Sequence, residues 1–294
     1  MKYVTSLISV FALGLFIFFS EKTKSALPVI LEGISQTVLC TIFPANLLLR
    51  LISFSPLGEK ISNKLTSSRI WQRTHLSPVY LPSVISGQLS GIPTGASLLS
   101  GVNGKNRHKA LALSSIVSPA FICAVLKSPS SGLLLYFNLV EVLWCVSFFL
   151  PSEKEEAVRL TVEKITFPKA LAHATESAVA VAGAMIFFSL LLTTLPDKAP
   201  HFVREWLSAA LEVGTAGRVC ENPIPLAAAL SFGGLSALSQ ISFSLEGISL
   251  KYYLISRVFL FFPCLFFLIF PKMRILQTLF TSFFLITQIY RKNS

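Results

Sequence analysis

Apolar runs close to twenty residues long, separated by short polar or basic stretches, recur along the whole chain and constrain its fold more than any other feature. A helix needs ~20 apolar residues to cross the hydrocarbon core of a bilayer, where its backbone polar groups must be satisfied internally. The runs fall at about 4–19, 27–53, 110–126, 132–150, 168–195, 225–243, 248–270 and 275–290. With 53% hydrophobic and 13% charged residues, a chain of 294 cannot hide that surface in one soluble core. The expectation is an all-α polytopic membrane protein with about eight transmembrane helices. The first run is followed by Glu21-Lys-Thr-Lys24 with no small-x-small cleavage site, so it reads as a retained anchor helix rather than a signal. Residues 55–77 are basic, with Leu57, Ile61, Leu65 and Ile70 interspersed, which fits an amphipathic helix on the membrane surface.

Two stretches interrupt this pattern. Ser86–Gly101 holds four glycines, four serines, Thr94 and Pro93, and Leu211-Glu-Val-Gly-Thr-Ala-Gly217 is a shorter relative of it. Glycine and proline weaken a helix or free its hydrogen bonds, and such backbone persists at membrane depth only where protein buries it or a watery cavity uses it. Broken or re-entrant helices of that kind build transporter sites; a small-residue packing face and an extramembrane loop are the other readings.

The halves of the chain repeat. Leu89–Gly95 aligns with Leu211–Gly217 at an offset of 122, Ala112–Ser114 with Ala229–Ser231 at 117, and Tyr136 with Tyr252 at 116. The expected organisation is an anchor helix (1–26), a first repeat (27–150), a charged connector (151–167), a second repeat (168–271) and a C-terminal helix (272–294). If each glycine-rich segment dips in and returns, each half has three full crossings and the halves are inverted. Fifteen basic loop residues then share the side of the Lys105–Lys109 loop, against eight opposite. That puts both termini inside.

A net charge of +11 would suggest nucleic acid in a soluble protein, but the basic residues sit in loops and no RNP-like, zinc-finger or helix-turn-helix pattern accompanies them. Five dispersed cysteines without a C-x-x-C, and four histidines without ligand spacing, indicate neither disulfides nor a metal. No Walker A loop is present, so no nucleotide cofactor is expected and transport would draw on a gradient or on trapping.

The candidate solute site joins the breaks: Ser90, Gly91, Thr94 and Gly95 on one side, Gly214, Thr215 and Gly217 on the other, with Gly233, Gly234, Ser236 and Gln240 on the following span. Thr94 and Thr215 either contact solute or satisfy carbonyls that the breaks free. Glu141 and Arg257 stand mid-span at an offset of 116. Three readings stay open: they pair directly, Arg257 binds an anionic solute while Glu141 carries a proton, or each meets unrelated polar groups. Ser90 imitates an intramembrane nucleophile, but no histidine or lysine stands opposite it, so an enzyme is not expected.

Leu89-Ser-Gly-Ile-Pro-Thr-Gly-Ala-Ser97, Ser118-Pro-Ala-Phe121 and Leu226–Ser236 resemble the YlbJ-type sporulation integral membrane proteins of the nucleoside-recognition, or Gate-domain, superfamily, over about residues 27–271. Ser114–Val117 and Leu238 depart from the family pattern. The resemblance implies transport of a small, anionic solute during spore formation, in the bacterial cell membrane or a membrane surrounding the forespore, with dipicolinate as cargo. A non-transporting scaffold of a sporulation membrane complex, or a nucleoside or ion gate, is the alternative. The partners expected are the lipid bilayer, the solute, and a second copy or other sporulation membrane proteins.

Overall fold

The computed structural model describes residues 10, 12–154, 165–196, 198–245 and 247–290. It is helical throughout, with no strand among the described residues, and six helices are long and apolar enough to cross a membrane. The start of the anchor run and most of the 151–164 connector lie outside the described residues.

Helix α1 spans Ser20–Ser53, 34 residues, and begins earlier than the expected 27 because Glu21–Lys24 is helical rather than a loop. The chain bends instead at Phe19, where φ is −102° and ψ 27°. Lys22 reaches the carbonyl of Leu195 at 2.7 Å, just past the end of the helix Phe167–Thr193, while Phe16 lies against Phe187 within that helix. Ser35–Ile42, just ahead of Pro44, is π-helical. Proline lacks an amide and crowds the preceding turn, and the wider π turn accommodates both.

The basic stretch after α1 forms two short helices, α2 (Pro56–Thr66) and α3 (Arg69–Thr74), capped by the Ser55 and Ser68 hydroxyls. Leu57, Ile61 and Leu65 remain exposed along α2, as a helix lying on a membrane surface requires.

Then follow α4 (Leu81–Ser90) and α5 (Ile92–Leu99), α6 (Arg107–Ser114) and α7 (Pro119–Leu126), and α8 (Pro129–Phe149). The second half has α9 (Phe167–Thr193), α10 (His201–Leu211) and α11 (Val213–Val219), α12 (Pro223–Phe232) and α13 (Gly234–Ser244), and α14 (Lys251–Ile269). Helix α15 (Arg274–Tyr290) closes the described chain. The order of a long helix, two interrupted segments and a long helix therefore occurs twice.

The first interrupted segment of each half folds back on itself. A Cβ built on Gly95 would lie 3.0 Å from the Cα of Gly87, so α4 and α5 form a hairpin whose arms touch backbone to backbone. In the second half the Glu205 carboxylate accepts the amides of Glu221 and Asn222 at 2.7 and 2.8 Å, which ties the returning chain to α10. The second interrupted segments continue onward, as the spans Arg107–Leu126 and Pro223–Ser244.

One hydrophobic core joins both halves, running from Val84, Leu99 and Leu139 to Leu230, Leu260 and Phe267. Helices α1 and α9 pack on each other through a separate cluster of Ile30, Ile34, Val38, Ala178 and Val181. The α1–α9 pair is thus a second body leaning on the interrupted helices.

Candidate functional site

Each interrupted segment breaks in a different way. Gly91 has φ 101° and ψ 178°, a conformation closed to residues with a Cβ, and it forms the tip of the first hairpin. Ser115–Ser118 is extended between α6 and α7. Glu212 is extended at the tip of the second hairpin, with φ −152° and ψ 119°. Gly233 and Gly234, both at positive φ, separate α12 from α13.

The breaks free backbone groups, and buried side chains take them up. Tyr136 donates to the carbonyl of Gln88 at 2.9 Å, and Tyr253 to that of Phe232 at 2.7 Å. Arg257 Nη2 donates to the carbonyl of Ala112 at 3.0 Å, and Gln88 Nε2 to that of Leu113 at 3.1 Å. At the N-terminal end of α11 the Glu212 carboxylate accepts the amides of Gly214 and Thr215, and at that of α7 the Ser118 hydroxyl accepts the amide of Phe121.

All four breaks meet at one cavity of about 70 Å³. Gly91, Ser118, Glu212 and Gly233 line it, one from each break, and Ser90, Ser236 and Gln240 add polar groups. From the α1–α9 pair come Ile42, inside the π turn, and Val181 and Met185. No match to this chain was found among family models, curated proteins or solved structures. The assignment of a role therefore rests on this geometry and on the residues themselves.

Two larger cavities flank the central one. A cavity of about 410 Å³ is lined by Gly33, Gln36, Lys127, Ser189, Gly217 and Arg218, and shares Phe121, Met185 and Glu212 with the centre. Another of about 680 Å³ is lined by Arg50, Ser97, Lys169, His173, Glu176 and Ser177 among others, and shares no residue with the centre. Their order along the chain places them at opposite ends. Along α1 the lining passes from Gly33 and Gln36 through Ile42 to Arg50; along α9 it passes from Glu176 and Ser177 through Val181 to Ser189. The central cavity has room for a few water molecules and is well below the ~300 Å³ of a small-molecule pocket, so it is the smallest of the three.

Of the expected site residues, Ser90, Gly91, Gly233, Ser236 and Gln240 line the centre. Thr94 is fully buried beside it, with its hydroxyl on that of Ser90 at 2.8 Å. Gly95 lies outside the cavity, where its missing side chain admits Ser114 and Gly87. Gly214 and Gly217 line the 410 Å³ cavity, and the Thr215 hydroxyl meets Ser189 at 3.1 Å and Arg218 at 3.3 Å. Neither threonine hydroxyl takes a carbonyl freed by a break. Gly234 does not line the centre; its absent Cβ leaves room for the backbone of Leu211 and Glu212.

The two mid-span charges do not pair. Besides Ala112, Arg257 bonds Ser256 at 3.2 Å and lies 4.7 Å from the ring centre of Tyr253. Glu141 accepts from Thr281 at 2.7 Å and from Ser282, on the face where α15 runs along α8. Neither lines the central cavity. An equal offset in two halves names equivalent positions, not neighbours.

Glu212 is the residue that sequence reasoning missed. It is 1% exposed, and among the described residues it is the only ionisable one that lines the central cavity. The signal was an acidic residue directly ahead of Val-Gly-Thr-Ala-Gly inside an otherwise apolar, small-residue stretch.

Proposed function

We propose that the chain is a membrane solute carrier whose site lies where the four breaks meet. The carrying observation is the convergence of those breaks on one constriction between two larger cavities at opposite ends of the molecule. A packing face of small residues accounts for close helices, but not for a polar path flanked by interrupted backbone.

We further read the halves as inverted repeats. Supporting this, α1 runs from the 410 Å³ cavity toward the 680 Å³ cavity while α9 runs the other way. Likewise α7 ends near the 410 Å³ cavity at Lys127 and α13 near the 680 Å³ cavity at Phe243 and Ser244. With the Lys105–Lys109 loop inside, the Arg50 cavity faces inward. The separate cores of the α1–α9 pair and the interrupted helices permit one body to rock against the other, which opens the constriction to either side.

Glu212, three serine hydroxyls and one amide suit a small polar solute with hydrogen-bond donors, or one with positive charge, at the centre. A dianion such as dipicolinate meets cationic side chains only in the flanking cavities, at Arg50 and Lys169 or at Lys127 and Arg218. The spore-formation setting, the forespore membrane and a dicarboxylate cargo rest on the family resemblance. Proteoliposomes holding only this protein test the reading with radiolabelled nucleosides, amino acids and small dicarboxylates. Saturable uptake of one class, abolished by Gly233→Val, is expected. Uptake of none, in correctly inserted protein, favours the scaffold reading.

A further inference from the structure

The 680 Å³ cavity contains a buried cation that no carboxylate of the described residues contacts directly, although the charge of Glu176 acts on it. Arg50 is 4% exposed, at the cavity end of α1. Its Nε donates to Asn46 Oδ1 at 2.7 Å and its Nη2 to the hydroxyl of Ser97, both neutral acceptors. Nη1 makes no hydrogen bond to a described residue. Glu176 lines the same cavity but is largely exposed, and its carboxylate stands 3.8 Å from His173 Nδ1. On the α9 lining of the same cavity Ser177, 6% exposed, has a hydroxyl with no partner among the described residues.

A desolvated guanidinium whose counter-charge is a largely exposed carboxylate out of direct contact is costly, and an unpaired buried hydroxyl adds to the cost. A bound oxyanion offsets both, since the planar guanidinium offers parallel N–H donors that match a carboxylate or phosphate. Asn46 and Ser97 meanwhile hold Nε and Nη2, so the fork is oriented before a ligand arrives.

We propose that Arg50 and Ser177 form a binding site for the carboxylate or phosphate group of a small anion in this flanking cavity, separate from the central one. Lys169, on the cavity rim, adds positive potential. Glu176 is the competing internal anion, which a ligand must displace or outbid. The site goes beyond the transport reading, because occupancy is measurable in protein that carries nothing.

The test is equilibrium binding of radiolabelled phthalate to the full chain in detergent, with unlabelled inorganic phosphate as competitor. Saturable binding is expected, weakened about tenfold or more in Arg50→Gln and less in Arg50→Lys, which keeps the charge but loses the fork. Ser177→Ala should weaken it a few-fold, and Glu176→Gln, which removes the competing charge without touching the fold, should tighten it. Displacement by phosphate assigns a general oxyanion site; resistance to it assigns a carboxylate site. Absence of saturable binding of both anions in wild type and in Glu176→Gln overturns the proposal, as does unchanged affinity in both Arg50→Lys and Ser177→Ala.

Discussion

Arg257 illustrates how a charge inside a membrane helix is used when its partner is backbone. The carbonyl it holds, that of Ala112, lost its helical amide when Ser115 turned extended. Arg257→Gln should therefore lower stability by about 2 kcal/mol, the scale of a buried charge-assisted hydrogen bond, read as a fall in melting temperature. Solute affinity of the inserted fraction should stay within about twofold. Loss of uptake at unchanged melting temperature would make Arg257 a ligand instead. The exchanged pair Glu141→Arg with Arg257→Glu should show no rescue over the single variants, because Glu141 faces Thr281 and Ser282. Glu212 behaves differently, since it both caps α11 and faces the cavity. Glu212→Ala leaves two amides unpaired, at about 1–3 kcal/mol each. Glu212→Gln keeps the shape, so its melting temperature should lie between those of wild type and alanine, while uptake falls about tenfold or more. Polarity and depth in the span were legible for Arg257 and Glu141; their partners were not, because carbonyl geometry at a break leaves no trace in residue type.

Among elements, the hairpins depend on backbone contact. A Cβ on Gly87 would sit 2.3 Å from the Ser114 carbonyl oxygen and 2.9 Å from the Gly95 Cα, atoms that cannot yield without moving a helix. Gly87→Ala is expected to destabilise the fold by at least about 1–3 kcal/mol, the cost of overpacking, seen as loss of monodisperse protein in size-exclusion chromatography. Gly183, inside α9 with nothing within 4 Å of its built Cβ, should respond oppositely. Gly183→Ala is expected to raise stability by about 0.5–1 kcal/mol through helix propensity, in the same melting assay. The interrupted segments at Gly91 and Glu212 were legible because small and helix-breaking residues crowd an apolar run: glycine, proline and serine in the first, Gly214, Thr215 and Gly217 in the second. The breaks at Ser115–Ser118 and Gly233 were less so: each lies in a stretch apolar enough for an uninterrupted span, with only Pro119 and the Gly233-Gly234 pair to mark it. The bend at Phe19 had no glycine or proline to announce it.

On the scale of the whole molecule, the six candidate spans match six of the eight apolar runs: the run at 4–19 lies partly outside the described residues, and α15, at 17 residues, falls just short of the length of a span. The flanking α1–α9 pair explains why the constriction has one wall of interrupted helices and one of long helices. Composition and periodicity reveal that helices cross a membrane, not which of their faces meet; the alignment of three cavities arises only from packing. The most direct measurement of the central claim is cysteine accessibility in membranes, after replacing the five native cysteines with serine. Ser236 lines the central cavity, whereas Leu235, the preceding residue, is 46% exposed on the outer surface of the same helix. A solute path predicts that Ser236→Cys reacts with a small membrane-impermeant thiosulfonate, and that Leu235→Cys, facing lipid, does not. Labelling of Leu235→Cys with an unreactive Ser236→Cys would contradict a water-accessible site at the helix breaks.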